Sequence, residues 1–166
     1  GASNLWAYYL ADGRADPVVG EPGMACIDDL SYDETLLVHH CANPTLSIVQ
    51  IASGAVSTIN PPAEGVEANF VGSARFALDG QRIAFGIARG DPENEQGWVA
   101  VSDGLAGDAR LIAASPAGEY FQVVGWLDPD TLVLQSWGIT PGVWLVNTDG
   151  SSLLQIADGV YQGLAS

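Results

Sequence analysis

The sequence predicts an all-β chain, a β-propeller built of four-stranded antiparallel blades. Three observations carry that prediction. First, short apolar runs alternate with clusters of Gly, Pro, Asp and Asn, and no segment of helical period reaches useful length. Second, the stretch VVGWLDPDTLVLQSWGITPGVWLVNTDG, followed by SLLQIADG, reads as one meander of four short strands bounded by turn residues. Third, the motif of its third strand recurs as NLWAYYLADG from Asn4, TLSIVQIASG from Thr45, GWVAVSDG from Gly97 and GVWLVNTDG from Gly142. A spacing of roughly 40–50 residues with four strands per unit is the signature of a propeller blade.

Taken in order, residues 4–10 and 15–19 read as the last two strands of a blade. Residues 24–30 and 35–41 form a hairpin around Tyr32, Asp33 and Glu34, and 46–51 with 55–59 complete that blade. An acidic loop, 61–69, leads to an inner strand, 70–76, which pairs with 82–88 across Asp79 and Gly80. The insertion ARGDPENEQG precedes 98–102, and 109–113 ends the blade. Residues 115–118 then cross to 120–126, and 160–165 reads as the first strand of a further blade. The blade pieces are thus 4–20, 24–60, 70–114, 120–158 and 160–166. This gives about four blades, three complete and one composite or incomplete. Such a count leaves open sheet faces, which points to a piece of a longer propeller or to a homodimer that completes the ring.

Composition narrows the partners. The 166 residues carry twenty acids against five bases, all of them Arg, for a net charge of −15. Phosphate backbones and anionic membrane surfaces are repelled by such a field, so neither nucleic acid nor membrane is an expected partner. No apolar run approaches the length of a membrane span, and no basic-then-apolar leader opens the chain.

The two cysteines give a covalent expectation. A hairpin folded symmetrically about Asp33 and Glu34 sets Cys26 opposite Cys41. Directly opposed residues of a non-hydrogen-bonded antiparallel pair have Cα atoms about 4.5 Å apart, within disulfide range. A disulfide between Cys26 and Cys41 implies an extracytoplasmic location: periplasmic, cell-surface or secreted. The pairing depends on register, since a slip of one residue removes it.

FALDGQRIAF together with GVWLVNTDGSSLLQIADG resembles the TolB-like propeller repeat (WD-repeat-like), whose phrase is an aromatic, Ser-Pro-Asp-Gly, a basic residue and Ile-Ala-Phe, with Asp-Gly later. Phe76, Asp79, Gly80, Arg82, Ile83, Ala84 and Phe85 match, Ala77 and Leu78 replace Ser-Pro, and Trp144, Val146, Asp149 and Gly150 match the later phrase. In the first hairpin Glu34 stands where the repeat has Gly. The resemblance implies the propeller architecture. It also implies two kinds of setting, periplasmic protein-binding propellers and the gating propellers of prolyl-oligopeptidase-type peptidases, between which a fold alone does not choose.

Catalytic constellations are sparse. Gly-x-Ser-x-Gly, Walker A, HExxH and CxxC patterns are absent, so no catalytic residue is assigned and the chain reads as a non-enzyme. His39 and His40 point to opposite sheet faces and cannot chelate one ion together. Asp91, Glu93 and Glu95 alternate as in the start of a calcium loop but lack its Gly and distal Glu. They read as a solvated acidic loop in which Ca is the one cofactor to consider. The resembled fold places the loops before the inner strands on one face with those joining second to third strands. That rim carries Glu64, Glu67, Phe70, Glu119, Tyr120 and Trp137, aromatics among acids, which suits a basic or mixed peptide. The expected function is a non-catalytic extracytoplasmic module for protein or peptide recognition. The alternatives are an accessory propeller of a larger enzyme and a carbohydrate- or cation-binding propeller.

Overall fold

The computed structural model describes residues 6–8, 11–17, 26–40, 44–62, 70–89 and 96–162. Every regular element among them is a strand. A short hairpin comes first, β1 (Trp6–Tyr8) with β2 (Ala15–Pro17). The first four-stranded meander is β3 (Ile27–Leu30), β4 (Leu36–His40), β5 (Leu46–Gln50) and β6 (Val56–Asn60), each antiparallel to the next. The second is β7 (Phe70–Phe76), β8 (Ile83–Arg89), β9 (Gln96–Ser102) and, after the two-residue β10 (Gly107–Asp108), β11 (Arg110–Ala114). The third is β12 (Glu119–Asp128), β13 (Thr131–Gly138), β14 (Gly142–Asn147) and β15 (Leu153–Asp158).

The period of two along each strand explains how the meanders stack. Ile83, Phe85 and Ile87 of β8 enter a core with Val38, Leu46 and Ile48 of the first meander, while Ala84 turns the other way to join Val123, Leu132 and Leu134 of the third. The middle sheet is therefore apolar on both faces, and each face is covered by a neighbouring sheet. Short ties reinforce the stacking. β10 pairs in parallel with the end of β6, and Glu119 meets Gln96 where β12 leaves the second meander.

Each inner strand carries a β-bulge at the same level. The extra residue is Asp28 in β3 and Val124 in β12, and in β7 Ser73 and Ala74 together oppose one residue of β8. The β3 bulge corrects the disulfide expectation. It slips the pairing by one, so that Ile27 faces His39 and the His40 N–H donates to the Cys26 carbonyl at 3.1 Å. Cys26 is a free, exposed thiol opposite His40, and Cys41 lies outside the described residues. With this register no Cys26–Cys41 disulfide ties the hairpin to an oxidising compartment. Residues 160–162 are irregular rather than the start of a strand. Gln135 holds this segment, donating to the Gly159 carbonyl at 3.1 Å and accepting from the Tyr161 N–H at 2.6 Å.

Candidate functional site

The bulges leave carbonyl groups without ladder partners, and one side chain gathers them. Arg75 donates from Nη1 to the Asp28 and Ala74 carbonyls, both at 2.7 Å, and from Nε to the Val124 carbonyl at 3.2 Å. All three acceptors are extra residues of the three bulges. The N–H side is settled in the same way. Ala74 N–H donates to Asp28 Oδ1 at 3.3 Å, and Val123 N–H to Ser73 Oγ at 3.1 Å. Ser73 reaches this position at φ 49°, in the left-handed region.

Above this clasp opens a cavity of about 590 Å³, at the end where the inner strands begin. Asp28, Ser73 and Arg75 line its floor. Ile27, Phe70, Ile87, Tyr120 and Phe121 give it apolar walls, and His40, Gln96 and Gln122 line it as well. Close backbone approach keeps the space open. A Cβ on Gly72 would lie 2.9 Å from the Phe70 ring and 3.2 Å from His40. Phe70 stands edge-on to the His40 ring, with centroids 5.1 Å apart, and remains 52% exposed.

The most polar contact in the cavity joins Asp28 and His40. Nδ1 of His40 lies 2.6 Å from Asp28 Oδ2, and the Asp28 side chain is only 4% exposed against 20% for His40. A buried carboxylate in this position orients the imidazole and fixes the hydrogen on Nδ1. Both oxygens of Asp28 are thereby engaged, one by His40 and one by Ala74. His40 Nε2 has no hydrogen-bond partner among the described residues.

The rim residues expected from the sequence separate into four groups. Phe70 and Tyr120 come together at the cavity. Trp137 stands opposite Tyr120 on β13, half-buried, and donates from Nε1 to Gln122 Oε1 at 2.9 Å, so it props a lining residue without lining the cavity itself. Glu119 departs from the expectation. It is 6% exposed at the first position of β12, packed against Gly138, and does not line the cavity. Glu64 and Glu67 lie outside the described residues, as do Asp91, Glu93 and Glu95 of the calcium expectation. Sequence reasoning missed Asp28, His40, Ser73, Arg75, Gln96 and Gln122. The signal for the first two was available, a carboxylate and a histidine on adjacent strands of one hairpin, but the bulge that aims Asp28 at His40 leaves no sequence mark.

No family model and no curated protein sequence matches this chain. Among solved structures it is similar to an oligogalacturonate lyase from Vibrio parahaemolyticus, with a TM-score of 0.69 at 15% identity over 91% of this chain and 45% of the lyase chain. A chain from a study of two prolyl endopeptidases gives a TM-score of 0.66 at 10% identity, covering 96% of this chain and 26% of that one. A puromycin-hydrolysing peptidase from Mycobacterium tuberculosis gives 0.53 at 19% identity, covering 87% and 26%. The chain spans less than half the length of each of these proteins. At these identities the likeness concerns architecture alone, and that architecture is the all-β β-propeller.

Proposed function

We propose that the chain is a non-catalytic propeller module, of the TolB-like kind its repeats resemble, that recognises peptides in the cavity at the start of its inner strands. The observation that carries this reading is the pair of exposed aromatics, Phe70 and Tyr120, on the wall of a cavity with fixed polar groups at its floor. Aromatic anchors over a preorganised polar floor are the common arrangement of a recognition pocket. The test is retention of synthetic tetrapeptides with free carboxyl termini from a positional-scanning library, read by mass spectrometry. A sequence preference on the native chain, weakened about tenfold or more in the Phe70→Ala, Tyr120→Ala double variant, supports the reading. Equal retention on both chains overturns it.

A second reading, an accessory propeller within a larger enzyme, draws support from the comparisons. The three similar structures named above are of enzymes, and this chain covers only 45% or 26% of their length. Peptide capture at the cavity is compatible with either setting. A catalytic domain encoded in the same reading frame favours the second.

A further inference from the structure

Resting on the peptide reading above, we propose that the cavity is a carboxylate pocket that takes the C-terminal residue of its peptide. Among the described residues Asp28 is the only acid lining the cavity, and both its oxygens are occupied by His40 and Ala74. Gln122 must present its amide nitrogen, because Trp137 Nε1–H can only donate and already occupies Gln122 Oε1. Ser73 Oγ accepts from Val123, and no described acceptor takes its own hydrogen. Arg75 uses Nε and Nη1 on carbonyls, and no described acceptor takes Nη2. Its guanidinium, moreover, has no carboxylate within salt-bridge distance among the described residues.

The cavity floor therefore holds several donors that no described acceptor takes, among them the Arg75 guanidinium, while the only described carboxylate beside it, Asp28, is spent on His40 and Ala74 and the walls are aromatic and aliphatic. A terminal carboxylate attached to a bulky apolar side chain satisfies both, with the carboxylate on Arg75, Ser73 and Gln122 and the side chain against Phe70, Tyr120 and Ile87. The net charge of −15 disfavours anions at long range, so recognition must come from contact within the cavity, where screening by salt is weaker.

The experiment is calorimetric titration with the acetylated tripeptide Ala-Ala-Phe, as free acid and as amide. The free acid should bind about tenfold tighter or more. Arg75 variants are unsuitable because that side chain also clasps the bulges. Gln122→Glu keeps the acceptor for Trp137 and places a repelling carboxylate at the floor. It should erase the preference for the free acid while the thermal midpoint stays unchanged. Equal binding of acid and amide overturns the carboxylate pocket and leaves peptide recognition standing. Failure of both forms to bind at millimolar concentration overturns both.

Discussion

Glu34 holds a conformation that glycine takes in the two equivalent turns. In the turn from Ser31 its N–H donates to the Ser31 carbonyl at 2.9 Å with φ 58°. Gly80 occupies the same place with φ 67°, bonded to Ala77, and Gly150 with φ 76°, bonded to Asn147. A side chain in the left-handed region costs about 1–2 kcal/mol, part of which is recovered by the lower entropy of a non-glycine residue in the unfolded chain. Glu34 is exposed and makes no side-chain hydrogen bond with a described residue that its loss would break. Glu34→Gly should therefore stabilise the fold by about 0.5–1 kcal/mol, read as a higher urea midpoint at unchanged slope. A lower midpoint would mean that the glutamate has a role in the turn that outweighs the strain.

At the scale of elements, the same turns are tied by aspartates. Asp33 accepts the Thr35 N–H at 3.2 Å, Asp79 the Gln81 N–H at 2.8 Å, and Asp149 the Ser151 N–H at 2.8 Å. These bonds hold the three carboxyls below their ordinary value of 3.8. The Ser31 hydroxyl is the main cause at Asp33, the Gln81 N–H at Asp79, and the Ser151 side chain at Asp149. A depressed folded pKa stabilises the native state above the unfolded value, and that contribution disappears as pH falls through the folded values. Stability should thus be level in these groups above about pH 5 and decline progressively below 3.8. The triple Asp33→Asn, Asp79→Asn, Asp149→Asn variant retains an acceptor oxygen without the titration, so its decline below pH 4 should be shallower. Parallel curves for the two proteins would show that acid sensitivity arises elsewhere. These turns were legible in the sequence because Asp and Gly act locally, through bonds spanning two or three residues. The bulges were not. A bulge inserts a residue without altering local turn chemistry, and its justification lies about fifty residues away, where Arg75 and Ser73 meet the carbonyls and N–H groups of other strands. The Cys26 register and the Asp28 contact with His40 were both hidden for that one reason.

At the scale of the whole molecule, the two larger cores lie between meanders, so the middle sheet is covered on both sides; the far face of the first meander buries Leu37 and Val49, and apolar surface is left exposed on an outer sheet. The third meander shows this most clearly. All six residues of β15 are exposed, with Leu154 at 61% and Ile156 at 52%, and β15 is the last strand of its sheet. An apolar edge strand of this kind is a pairing surface unless something covers it. For the chain as an isolated protein, the available occupant is a second copy, which would bring the same strand and the same apolar side chains. Opposing this is a charge of −15 on each copy, a repulsion that salt screens within about 8–10 Å. Self-association should therefore strengthen with ionic strength. Light scattering should give a mass above the 17.3 kDa of one chain at high salt, falling towards it at low salt. Leu154→Glu with Ile156→Glu should hold the protein at the single-chain mass throughout. A single-chain mass for the unaltered protein at every salt concentration would mean that the β15 flank does not pair with itself, and the second-copy assembly would be wrong.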